Sequence, residues 1–156
     1  MKPLLSVVFL LLALSSWAAE SPRQLALAQF PVEVRELLGK NITEARKVLK
    51  DVPQNKRRED ERGLFVNLLG VNFDVTLGKK ADAVDWLALR SPPQRSLGLY
   101  EKLLEKFGKQ AKIKNVDVGG PAPGQYIELS FPTEGIQFRF VSASKDLYSI
   151  VVQRKP

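Results

Sequence analysis

Two stretches of the chain follow one plan. Residues 70–89 read GVNFDVTLGKKADAVDWLAL and residues 135–152 read GIQFRFVSASKDLYSIVV. Each has a glycine, a run alternating apolar with polar residues, a polar turn and a second apolar run. Period-two alternation places Val71, Phe73, Val75 and Leu77 on one side of a strand, and Ile136, Phe138 and Phe140 on one side of another. Each copy therefore predicts a hairpin with one buried face. The turns are GKKAD (78–82) and SASKD (142–146), and the even difference in their lengths preserves the face each side chain takes. Aligning the glycines sets Asp74 where Arg139 stands and Asp85 where Tyr148 stands.

The resemblance extends upstream. GLFVNLL (63–69) and QYIELSF (125–131) precede the two glycines as further strands, the second alternating through Ile127, Leu129 and Phe131. Before them the period changes to that of a helix. Ala45, Val48, Leu49 and Val52 form one apolar stripe behind an Asn41 cap with Glu44 three residues on; Tyr100, Leu103, Leu104 and Phe107 form the other, between Ser96 and Gly108.

The expectation is an α+β fold of two tandem α-β-β-β units, each with an antiparallel meander packed against helices. The first unit covers 41–90 and the second 96–156, with a joint at 91–95 where Pro92 and Pro93 break regular structure. A leading helical segment, 19–40, uses Val34, Leu37 and Leu38 for packing. The stretch 112–125, with two prolines and three glycines, reads as a loop.

The first 18 residues have the plan of a secretory signal peptide: Lys2, an apolar run from 4 to 14, and small residues at Ser16 and Ala18 before the expected cut. That run is shorter than the ~20 residues of a spanning helix, and no later stretch is apolar enough to be one, so no transmembrane segment is expected in the mature chain. A soluble periplasmic or secreted protein is the consequence. Loss of Lys2 from 24 Lys and Arg leaves 23 against 17 Asp and Glu, a net charge of +6 that favours anionic partners.

The chain has no histidine and no cysteine. A Ser-His-Asp triad, a Cys-His dyad and the usual zinc ligand sets cannot be built, and no disulfide or lipid-anchoring cysteine is available. Phosphate-binding and dinucleotide-binding glycine patterns are also missing, so no metal, cofactor or catalytic residue is expected. A carboxylate pair such as Asp74 with Asp85 is one remaining route to catalysis, but solvent-facing acids on a sheet are far commoner, and a lysine-assisted serine has no motif to support it.

The run KRREDER (56–62) mixes signs and is expected to be a solvated loop or helix end that neutralises its own field. Lys102, Lys106, Lys109, Lys112 and Lys114 cluster more densely and are the candidate anion-attracting face. With helices on one side of the meander, Tyr126, Glu128, Ser130, Gln137 and Arg139 share the other, with Asn72, Asp74 and Thr76 in the first unit. Tyr126, Glu128, Gln137, Arg139 and Asp74 are the candidate partner-binding residues. Trp86 is expected in the core beside Val84, unless a bulge shifts the register and turns it outward.

A helix pair entering through LLGKNITEARKVL and a meander closing with GIQFRF and YSIVVQRKP resembles the small exported modules of the BamE (SmpA/OmlA) type. The doubled unit is similar to the β-lactamase inhibitory proteins. The chain departs from both: it lacks the anchoring cysteine of the first and the disulfides of the second. The resemblance implies a non-catalytic protein that binds a protein partner in the bacterial envelope as an accessory, inhibitor or immunity factor. The alternative expectation is a scaffold or carrier that takes anionic lipid or glycan on the lysine face; nucleic acid is not an expected partner of an exported chain.

Overall fold

A computed structural model describes residues 20–67, 74–80, 82–90, 98–119 and 124–155, and of Asn67, Asp74, Val75, Thr76 and Lys79 the backbone alone. The leader, the opening of the first echo at 70–73, the Pro92–Pro93 joint, the Ser96 cap and Asn72 lie outside the described residues.

The fold is α+β and dominated by its sheet. Three short helices, α1 (Pro22–Leu27), α2 (Val32–Arg35) and α3 (Ile42–Val48), lead into strands β1 (Arg57–Asp60), β2 (Gly63–Asn67), β3 (Asp74–Lys80) and β4 (Ala83–Arg90). Helix α4 (Leu99–Phe107) then leads into β5 (Lys112–Val118), β6 (Gly124–Phe131), β7 (Ile136–Val141) and β8 (Leu147–Gln153). The eight strands form one antiparallel sheet in the order β1-β2-β3-β4-β8-β7-β6-β5. Two meanders thus meet at their last strands, with Ala88 opposite Val151 at the centre of the seam.

Each meander has four strands, where the sequence predicts three. Both additions, β1 and β5, are edge strands, and β5 exposes Lys112, Ile113, Lys114 and Asn115. Charged side chains on an edge discourage pairing with another chain, and they also erase the apolar alternation by which a strand is recognised. KRREDER and most of 112–125 are therefore strand and turn, contrary to the loop expectation.

One face of the sheet builds the core. Leu64, Leu77, Leu87, Leu89, Leu129, Phe131, Phe138, Phe140, Ile150 and Val152 are buried there under Leu25, Phe30, Val34, Ile42 and Leu103. Edge-to-face contacts of Tyr100 with Phe140 and of Phe107 with Phe131 seat α4 on its meander, at centroid distances of 5.2 and 6.5 Å. Such aromatic pairs add about 0.5–1.5 kcal/mol beyond the area they bury. At the other end, Ser21 and Gln24 make a reciprocal capping box at the start of α1, and Arg23 donates to the Glu134 carbonyl at 2.7 Å, fastening α1 to the turn before β7.

Asn41 caps α3 as expected, accepting from the Thr43 backbone N–H at 2.8 Å. The buried stripe differs: Ile42, Ala45 and Leu49 face the core, whereas Val48 is 49% exposed. The start of the helix is pinned to β4 by Ile42 N–H donating to the Asp82 carbonyl and Val84 N–H donating to the Lys40 carbonyl, and this rotation puts Val48 outside.

Gly78, Lys79 and Lys80 belong to β3 and not to a turn, since β3 and β4 pair through Lys80 and Ala83. The register shifts between Gly78 and Lys79, where Asp85 is the extra residue of a β-bulge in β4. Val84, Leu87 and Leu89 then all face the core, and Trp86 is half-buried on the opposite face. The expectation of a core tryptophan is overturned by that one inserted residue, whose carbonyl accepts from the Arg154 N–H at 2.6 Å.

Candidate functional site

The face of the sheet away from the helices carries a trough of about 930 Å³. Its floor comes from the seam: Trp86, Ala88 and Arg90 of β4 alternate outward, and Ser149, Val151 and Gln153 of β8 do the same. Gln137, Arg139 and Tyr148 extend it to one side, and Phe65, Arg58 and Arg62 border it on the other.

Trp86 lies flat across the sheet because Gly78 leaves it room. A Cβ on Gly78 would stand 1.7 Å from the indole Cε2, and Gly63 is the register partner of Gly78 on the far side. One ring face is thus against the backbone and the other is turned to the trough. In the second meander the same place is filled with charge. Arg139 donates from Nη2 to Glu128 Oε2 at 2.9 Å, across the β6–β7 register in which the two residues are directly opposed. Arg139 Nε is buried without a hydrogen-bond partner. Tyr126 meets Tyr148 with rings tilted 37° and centroids 4.5 Å apart, and burial, followed by the contact with Tyr148, raises the Tyr126 hydroxyl above its ordinary pKa.

A second bulge explains Tyr148. The β7–β8 register shifts between Arg139 and Phe140, with Tyr148 as the inserted residue, in the place Asp85 takes between β3 and β4. Asp85 and Tyr148 therefore correspond, as the alignment of the echoes expects. Arg139 corresponds to Gly78 and not to Asp74: Gly78 is opposite Trp86 as Arg139 is opposite Ser149. Asp74 begins β3 level with Arg90. Four residues separate it from the bulge, about 13 Å of strand, so Asp74 and Asp85 are not neighbours and make no acid pair.

Of the expected binding residues, Tyr126, Glu128, Gln137 and Arg139 share the face of the trough, and Gln137 and Arg139 line it. The side chain of Asp74 is outside the described set. The lysines divide: Lys102 and Lys106 both donate to the Glu20 carboxylate, at 2.8 and 2.9 Å, Lys109 is in the turn after α4, and Lys112 and Lys114 are on edge strand β5. Those hydrogen bonds hold the Glu20 carboxyl below its ordinary pKa. The expected lysine face is thus partly answered by the chain's own acid.

Sequence reading missed Arg58, Arg62 and the outward Trp86. The signal in KRREDER is its alternation once it is a strand. Glu59 faces the helices, where Arg46 grips it from Nε at 3.0 Å and Nη2 at 2.5 Å. Asp60 accepts from the Arg62 backbone N–H at 2.8 Å and only approaches the Arg58 guanidinium, at 3.8 Å. Glu59 is turned to a helix and Asp60 accepts in the turn while staying 3.8 Å from Arg58, so these two acids answer the run's arginines on the trough side only in part. Arg58 instead covers the Phe65 ring at 4.6 Å.

Among the described residues, no group of three or more acids could hold a metal ion, and no helix is long and apolar enough to cross a membrane. No protein-family model, curated protein or solved structure matches the chain.

Proposed function

We propose that this is an exported, non-catalytic binding protein that engages a protein partner in the cell envelope through the open face of its sheet. The single observation that supports this reading is the trough: a half-exposed tryptophan laid flat over glycine, with arginines and aromatic rings on both sides. Tryptophan, tyrosine and arginine are the residues that dominate the energetics of protein interfaces. The two four-stranded meanders, each behind a helix and each with a bulge before its last strand's core run, support descent from a duplicated unit. The resemblance to BamE-type modules and the β-lactamase inhibitory proteins points to the same use.

The reading is tested by capture from envelope extract with the mature chain as bait. A stoichiometric protein partner, retained by wild type and lost with Trp86→Ala or Arg139→Glu, is the expected result. A partner retained equally by both variants, or none at all, overturns it.

A further inference from the structure

We infer that the trough takes an acidic protein segment, one that presents carboxylates around a large apolar side chain. This deepens the reading above and rests on it. Five cationic residues off the helix-facing positions of β1 line the trough, Lys56, Arg58, Arg62, Arg90 and Arg139, and no aspartate or glutamate is among its described lining residues. Of the five, Arg58 and Arg139 contact a carboxylate within 4 Å among the described side chains, and Arg90 stands level with Asp74 in the β3–β4 register. The excess of positive charge therefore lies at the β1 border, with Lys56, Arg58 and Arg62, and a hollow lined by one sign of charge attracts anions.

The floor decides which anion. Trp86, Ala88 and Val151 offer apolar surface at the centre, below arginines at the border, and a protein loop with one apolar anchor between acids meets both. A bilayer surface is too flat to reach a recessed floor. A sulfated or uronic glycan carries the charge, but its hydroxyls need acceptors, and the described lining supplies amides and the Ser149 and Tyr148 hydroxyls where carboxylates would serve best. Arginine suits carboxylates because its planar donors pair with both oxygens.

The experiment uses the full chain and a fluorophore-labelled decapeptide with a central phenylalanine flanked by glutamates, read by anisotropy. Parallel arms use a heparin-type oligosaccharide and phosphatidylglycerol vesicles. Saturable peptide binding is expected, weakened at least tenfold by the Arg58→Glu, Arg62→Glu double variant and by Trp86→Ala, and by less than twofold by Lys109→Glu. Raising the salt weakens it in wild type and has little effect on the double variant. Circular dichroism and thermal melting confirm that each variant is folded; Arg58→Gln with Arg62→Gln replaces any that is not. Absence of peptide binding up to about 1 mM overturns the inference. So does binding indifferent to the double variant, or tighter trough-dependent binding of the oligosaccharide or vesicles. A captured envelope protein whose binding ignores Arg58, Arg62 and salt would sink this chemistry and leave the function proposed above standing.

Discussion

At the matching place in the two meanders the chain uses opposite means to finish the outer face. The first puts Gly63 opposite Gly78 and lays Trp86 over Gly78; the second puts Glu128 opposite Arg139, beside the tilted pair of Tyr126 and Tyr148. Both solutions follow a bulge, at Asp85 and at Tyr148, that re-aims the last strand without disturbing the buried residues beyond it. The difference teaches that the sheet's inner face is held to one pattern by packing, while the outer face is free to differ. One half has space over a glycine and the other a half-buried ion pair.

The glycine side of the comparison is the easier to break. In Gly63→Ala the new methyl carbon would stand 2.2 Å from the Leu77 carbonyl oxygen, a backbone atom that cannot step aside, and destabilisation of about 3 kcal/mol is expected. Gly78→Ala meets the body of the indole at 1.7 Å, so the ring must leave its seat toward the trough. Here the expected cost is about 1–2 kcal/mol, with a red shift of Trp86 emission, resolved by comparison with Trp86→Phe. Denaturant melts and emission spectra check both; an unshifted spectrum with unchanged stability in Gly78→Ala would mean the indole does not use that space.

The charged side answers to a double-mutant cycle. Glu128 and Arg139 side chains are 13% and 29% exposed, so each desolvates the other. Arg139→Met strands the carboxylate and is expected to cost about 1–3 kcal/mol. Glu128→Gln combined with Arg139→Met should recover part of that, because an uncharged pair owes no desolvation. A coupling energy near zero would show the pair to be ornamental, and the contrast between the halves would reduce to the tryptophan.

How far the sequence carried these features follows from where each is encoded. The β3–β4 and β7–β8 hairpins and β6 were legible because half-buried strands alternate, and Ile136, Phe138 and Phe140 do so without interruption. Edge strands β1 and β5 were not, since exposed side chains on both faces leave no alternation of apolar with polar residues. The outer-face residues Gln137 and Arg139 followed directly from alternation. Trp86 could not, because its direction depends on the bulge at Asp85, and the bulge depends on Val84 pairing with the segment before α3 while Trp86 pairs with β8. The seam itself joins strands far apart in the chain, and no local pattern announces it.

The smallest expected effect concerns how each half fastens a helix with charge. In the first, Arg46 of α3 holds Glu59 of β1; in the second, Lys102 and Lys106 of α4 hold Glu20. All are surface pairs, for which contributions are small, but the second can be read by pH. The two lysines lower the Glu20 pKa in the folded chain below the ordinary 4.5. A carboxyl whose folded pKa is depressed adds stability that is full above its unfolded value and disappears as pH falls through the folded one. Wild type should therefore melt slightly higher than Glu20→Gln at pH 7, with the gap closing below pH 4.5 and also closing in high salt. A Glu20→Gln gap that persists undiminished at low pH would mean that the side chain's packing, and not its charge, ties the leading segment to α4.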